Sequence, residues 1–303
     1  MPRPPRDDVG PDGRGGITAE LVSRLLAEQF PAWSGLAVRP VPTDGWDNRT
    51  YRLGGDLAVR LPSAAGYAAA VAKEDRWLPR LASSLPLRVP EPVATGRPGS
   101  GYAWSWSVRR WIEGRPVLGA APADLVSFAR QLAHFLAVLQ SLEASDGPPP
   151  GAHCFHRGGA PAFYDAEVRD ALAVLGSTVD GEACWAVWTD ALASSWSGPP
   201  VWFHGDIAPG NLLLDDAGAL TAVIDFGTCG VGDPACDLVI TWTLLRGEAR
   251  TAFVDGVGLD EETWARARGW ALWKALIMLA AGGADADEHR TVVDEVLADH
   301  RRG

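Results

Sequence analysis

The sequence predicts an α+β chain in which a small antiparallel sheet comes first and a larger, mainly helical part follows. Three observations carry that reading. Residues 37–61 and 101–111 hold short β-branched and aromatic stretches with Asp-Gly and Gly-Gly turns between the earlier ones. From Pro122 onward, apolar residues recur at helical spacing. One late stretch, 201–227, returns to strand-like runs around a tight turn.

The first sixteen residues are rich in Pro, Gly, Arg and Asp and carry too few apolar side chains to pack, so a disordered tail is expected. Thr18 reads as a helix N-cap, with Ile17 and Val22 as a hydrophobic staple, and the helix runs to about Phe30, where Pro31 ends it. Strands are expected at 37–41, 50–53 and 57–61, with turns at Asp44-Gly45 and Gly54-Gly55. A helix follows at about 67–81, then Pro90 and Pro92 interrupt the chain before strands at 92–95 and 101–111. Leu125, Phe128, Leu132, Phe135, Leu139 and Leu142 give one long amphipathic core helix over 122–143, on which His134 reads as structural. Beyond a Pro/Gly-rich loop, charge-rich helices are expected at about 162–175 and 181–195, their acidic residues forming a solvated face. After residues 232–238 an apolar helix should run to about Leu245. Three more helices should follow, at 250–257, at 260–281 capped by Asp260, and at 286–300. Trp264, Trp270 and Trp273 on the middle one read as core residues.

Composition narrows the function classes. Nearly half of the 303 residues are apolar, enough for a substantial core in one large domain or two lobes. No run approaches a membrane span, and no export signal opens the chain, so a cytoplasmic protein with no membrane partner is expected. Cys154, Cys184, Cys229 and Cys236 lack zinc-site spacing and read as free thiols, and His153-Cys154-Phe155-His156 reads as a mixed loop. With 27 basic against 38 acidic residues, the net charge of -11 argues against nucleic acid as a partner. The same balance fits a cationic small-molecule substrate, and equally an acidic surface that aids solubility.

The chemistry concentrates in 201–227. His204-Gly205-Asp206 places a carboxylate in a polar turn, Asn211 follows five residues later, and Asp225 opens Asp-Phe-Gly after an apolar run. The runs 211–214 and 220–224 flank Asp215-Asp216-Ala217-Gly218, a hairpin signal. Asp206 and Asn211 then precede the hairpin and Asp225 leaves it. Hard oxygen donors of this kind suit magnesium, and the remaining carboxylate suits proton acceptance from an attacking hydroxyl, a combination that serves phosphoryl transfer.

HGDIAPGN followed by VIDFG resembles the aminoglycoside phosphotransferase family, kinases of antibiotics and small metabolites. The resemblance implies a two-lobed, protein-kinase-like fold: a nucleotide-binding lobe at 17–110, a hinge at 111–116 and a catalytic and substrate-binding lobe at 117–303. It implies Asp206 as catalytic base, Asn211 and Asp225 as magnesium ligands, and ATP or GTP as phosphoryl donor. It assigns Asn48, in the segment 44–50, to the triphosphate, and the main chain of Arg110 and Ile112 to the purine. Such kinases place a cation on the third strand, paired with a helical carboxylate. Lys73 lies beyond that strand and Lys274 far from it, which leaves Arg60, with Glu74 as partner; arginine there departs from the usual lysine. His204 is expected to brace the loop, and Asp237 resembles a buried carboxylate that does the same, although a helix N-terminal acid would look alike. The acceptor expected is an antibiotic of the aminoglycoside or macrolide class. The alternatives are a metabolic kinase acting on choline, a sugar or an amino alcohol, and an inactive nucleotide-binding scaffold. The sequence leaves monomer and dimer open.

Overall fold

A computed structural model describes residues 16–42, 45 and 47–302. Residues 1–15 of the expected tail at 1–16, and Asp44 of the expected Asp44-Gly45 turn, lie outside them. The chain divides into two compact units, one of residues 16–114 with Ala222–Gly227, the other of Arg115–Thr221 with residues 228–302.

The first unit begins with helix α1, Ala19–Gln29, whose Leu21 N–H donates to the Thr18 hydroxyl 3.3 Å away, the cap that the sequence signals. Strands β1 (Val38–Pro40), β2 (Asn48–Leu53) and β3 (Leu57–Pro62) lead to helix α2 (Ala65–Ala82), and β4 (Pro92–Gly96) and β5 (Trp106–Arg110) complete an antiparallel sheet in the order β1-β2-β3-β5-β4. Alternation sorts its side chains. Leu57, Val59 and Leu61 of β3 and Trp106 and Val108 of β5 pack with Leu21, Val22, Leu25 and Leu26 of α1 in one apolar core. Arg60 and Ser107, paired across the strands, and Arg109 take the opposite parity, and helix α2 packs against both strands.

One expected strand is shorter than the sequence suggests. Residues 101–105 are not strand, because Ser100 and Gly101 take positive φ, 47° and 85°, and close a turn bridged between Gly99 and Tyr102. The Tyr102 hydroxyl donates to the Pro62 carbonyl 2.7 Å away, which fixes that turn against β3. Aromatic content was the signal at 102–106, and turn geometry overrode it.

The second unit opens with β6 (Arg115–Pro116) and helix α3 (Leu125–Ser141), capped by Asp124, whose carboxylate accepts from Val126 and Ser127 N–H. Helices α4 (Asp165–Leu175) and α5 (Gly181–Ala193) follow, then β7 (Val201–Phe203), β8 (Leu212–Leu214), β9 (Leu220–Val223) and β10 (Gly230–Gly232). Strands β6, β8 and β9 form one small sheet with β8 central, and β7 pairs antiparallel with β10. The hairpin turn uses Asp215, whose carboxylate accepts from Ala217 and Ala219 N–H. The expected apolar helix up to Leu245 is instead a 3₁₀ turn, Pro234–Val239, and a short helix α6, Ile240–Thr243. Helices α7 (Gly247–Val257), α8 (Glu261–Ala281) and α9 (Ala286–His300) finish the chain. α8 is the hub: α4, α5 and α9 all pack on it, and Trp264, Trp270 and Trp273 are buried there. The four cysteines are buried, and none forms a disulfide among the described residues. Among the described residues no helix is long and apolar enough to cross a membrane.

Candidate active site

The loop after β7 is shaped by backbone necessity. Gly205 has φ 86°, and a Cβ there would stand 2.7 Å from the Thr228 carbonyl oxygen, so only glycine fits. Asp237, wholly buried, accepts the backbone N–H groups of His204 and Gly205 at 2.7 and 2.6 Å. The carboxylate is therefore a brace for this loop, which settles the ambiguity that its sequence position left. Burial pushes the Asp237 carboxyl up, and the nearby His204 and the two N–H groups oppose that push without cancelling it. Thr228 donates its hydroxyl to the His204 carbonyl at 3.0 Å, and the Asp206 N–H donates to His204 Nδ1 at 3.1 Å. Nδ1 is thus an acceptor, and the buried imidazole locks the turn from within.

These contacts hold Asp206 by its backbone and leave its carboxylate half-buried. Asn211 donates its side-chain amide to both the Asp206 carbonyl, 2.9 Å, and the Asp206 carboxylate, 3.0 Å. The amide nitrogen is committed, and the Asn211 carbonyl oxygen has no hydrogen bond among the described residues. A carboxylate oxygen and an amide oxygen held by so short a loop fit a proton acceptor beside a hard-cation ligand.

In the first unit, Arg60 on β3 reaches two carboxylates, Glu74 of α2 at 3.2 Å and Asp225 at 2.6 Å. Burial alone would lower the guanidinium's pKa, but Glu74 and Asp225 outweigh it and the pKa is raised. Asp225 has φ 68°, a left-handed conformation that costs a non-glycine residue on the order of 1–2 kcal/mol. Asp tolerates it better than most residues, and such outliers concentrate at functional sites. Its strand is tied to the unit by the Val223 N–H, which donates to the Arg88 carbonyl at 3.0 Å.

The other expected contacts fall as follows. Asn48 opens β2 opposite Pro62 and is buried. The Arg110 N–H donates to the Glu91 carbonyl at 2.9 Å. Ile112 lies two residues past β5, outside the ladder. The acidic residues of α4 and α5 are largely spoken for. Asp165 binds Arg169 and the Trp188 indole, Glu167 the Trp273 indole, Asp180 caps α5 and pairs with Arg301, and Asp190 meets His300. Sequence reasoning missed Thr228 and Arg109. For Arg109 the signal was present, since a charge at a buried-strand position beside apolar Val108 demands partners.

The strand-borne cation with its helical carboxylate and the Asp-Phe-Gly aspartate belong to the first unit, and the His-Gly-Asp loop with its asparagine to the second. A sequence model of the phosphotransferase enzyme family matches residues 38–270, and the chain belongs to that family and is a phosphotransferase. The structure is similar to the GDP complex of wild-type aminoglycoside 2'-phosphotransferase-IIIa, with a TM-score of 0.72 and 19% identity over 94% of this chain and 100% of that one. It is also similar to the apoenzyme of the macrolide 2'-phosphotransferase MphH from Brachybacterium faecium, with a TM-score of 0.57 and 24% identity over 92% and 97% of the two chains. Uncharacterized protein YcbJ of Bacillus subtilis strain 168 is 28% identical over 162 residues, 53% of this chain, and the match spans half of that protein's length. The fold is that of the kinase-like phosphotransferases.

Proposed function

We propose that this chain is a cytoplasmic, magnesium-dependent kinase that transfers the γ-phosphoryl group of ATP or GTP to a hydroxyl of a small antibiotic. The observation that carries the proposal is the Asp206–Asn211 pair, locked by Asp237, Thr228 and His204. Asp206 accepts the proton of the attacking hydroxyl and orients it. Asn211, through its carbonyl oxygen, and Asp225 would hold magnesium, whose chemistry when bound is to neutralise charge on the phosphates. Arg60, positioned by Glu74, binds the triphosphate. Asn48 and the main chain of Arg110 and Ile112 contribute to the nucleotide, by analogy of position. GDP in the structurally similar aminoglycoside phosphotransferase supports a nucleotide of this kind.

Between acceptors, a largely apolar one of the macrolide type is favoured over a polyamine. Four of the six carboxylates on and beside α4 and α5 are engaged, since Asp165, Glu167, Asp180 and Asp190 already hold Arg169, Trp273, Arg301 and His300, while Asp170 and Glu182 are exposed. The test is incubation of the purified protein with magnesium and ATP or GTP against macrolides, aminoglycosides, choline and sugars, with mass spectrometry of the products. A phosphorylated macrolide supports the reading. A phosphorylated aminoglycoside overturns the acceptor preference, choline or sugar phosphate overturns the antibiotic role, and no product from any acceptor overturns the kinase assignment for this panel.

A further inference from the structure

Arg109 is buried to 1% exposure at the penultimate position of β5, and its guanidinium is held on every side. Nε donates to the Ser107 hydroxyl at 3.0 Å and one terminal nitrogen to the Pro90 carbonyl at 3.2 Å. Both contacts belong to the sheet side of the unit. The other terminal nitrogen lies 3.2 Å from Glu74 Oε2 and 3.2 Å from Asp75 Oδ1, both on α2. Asp75 is held in turn by the Thr95 hydroxyl of β4.

Glu74 therefore carries two arginines, one on each oxygen: Arg60 on Oε1 and Arg109 on Oε2. The two have different freedom. Arg60 is shared with Asp225, and by the role proposed for it must also serve the triphosphate. The remaining bonds of Arg109 go to Ser107 of β5, the Pro90 carbonyl and Asp75 of α2, and it forms no ion pair with Asp225. Charge makes the same point. Glu74 and Asp225 pair with Arg60, and Asp47 also acts on it, so without Arg109 to take a share of Glu74 the Arg60 cation alone offsets these three carboxylates. A cation drained into three carboxylates has less left for phosphate.

We propose that Arg109 is a positioning residue for nucleotide binding: it anchors Glu74 to the sheet and offsets the surplus carboxylate charge, so that Arg60 is held ready for the triphosphate. This rests on the reading of Arg60 as the phosphate-binding cation. The arrangement suits an arginine at that position, since a planar fork must be aligned edge-on with its acceptors where a lysine need not be.

The test is calorimetric titration of the full chain with magnesium–ATP or magnesium–GTP and with the parent nucleosides, for the wild type, Arg109→Gln, Glu74→Gln and the double variant. Arg109→Gln is expected to weaken triphosphate binding by roughly tenfold or more, about 1.4 kcal/mol, and to leave nucleoside binding unchanged. In the Glu74→Gln background it should add almost nothing, because both substitutions break one chain of contacts. Equal loss for nucleoside and triphosphate, an undiminished effect in the Glu74→Gln background, or no loss at all would overturn the proposal. Should Arg109→Gln not fold, Arg109→Lys, which retains the charge but not the fork, gives the same selective weakening at smaller size, and its failure to do so overturns the proposal equally. A wild type that binds neither magnesium–ATP nor magnesium–GTP overturns the kinase reading with it, whereas wild-type binding that Arg109 variants leave intact overturns only the role of Arg109.

Discussion

Removing the Asp237 carboxylate offers the clearest energetic forecast. It is wholly buried and accepts two backbone N–H groups, at 2.7 and 2.6 Å, from the residues that turn the chain into Asp206. Hydrogen bonds to a charged acceptor contribute about 1.5–3 kcal/mol each, so Asp237→Ala should cost about 3–6 kcal/mol, with two N–H groups left buried and unsatisfied. Against a total stability of about 5–15 kcal/mol that is a large fraction. The cost of burying the charge, visible in the raised pKa of the group, pulls the figure toward the lower end. Asp237→Asn keeps one acceptor oxygen and should lose roughly half as much. Urea titration followed by tryptophan fluorescence measures both, and turnover should fall with them as the His204–Asp206 turn loosens. A loss below about 1 kcal/mol for Asp237→Ala would refute the brace, since surface substitutions already span about half of that.

Gly205→Ala meets both a left-handed φ of 86° and a 2.7 Å approach to the Thr228 carbonyl, so it should destabilise by about 2 kcal/mol or more and depress turnover, read from a thermal melt and an activity assay. Burial lowers the Lys274 pKa from 10.5 to about 8. Between those values the unfolded chain holds a proton that the folded one has released, so stability should rise with pH across that window, by about 3 kcal/mol in all. Lys274→Met should flatten the rise and be the more stable protein near neutral pH, which denaturant midpoints from about pH 7 to about pH 10 will show. Asp225→Asn removes both the Arg60 partner and the anionic metal ligand proposed above. Turnover should fall on the order of a thousandfold and demand more magnesium, measured by titrating the metal.

What the sequence made legible were features written in local chemistry. Thr18 and Asp260 announced their helices because a cap bonds within three residues, and Asp215 closes its hairpin through Ala217 and Ala219 next door. Strand alternation separated the core face of β3 from the face that carries Arg60. The partners of Asp237 were not legible, since His204 and Gly205 stand more than thirty residues away and a carboxylate near a helix start looks the same whichever N–H groups it meets. Arg109 was overlooked for a related reason: its acceptors come from α2, β5 and the Pro90 turn, and only the folded sheet gathers them. The strand expected over 101–111 was too long because aromatic content was weighed above the Gly99-Ser100-Gly101 turn. The unexpected pairing of β7 with β10 joins two three-residue strands too short to show alternation.

The central claim is that Asp206 takes the proton from the attacking hydroxyl, and Asp206→Asn with the full chain tests it most directly. The substitution keeps the shape and an oxygen for the Asn211 amide, but it removes the base. Single-turnover phosphoryl transfer to the acceptor found in the panel should fall on the order of a hundredfold or more while magnesium–nucleotide affinity stays within a few fold. Transfer at close to the wild-type rate would contradict the account.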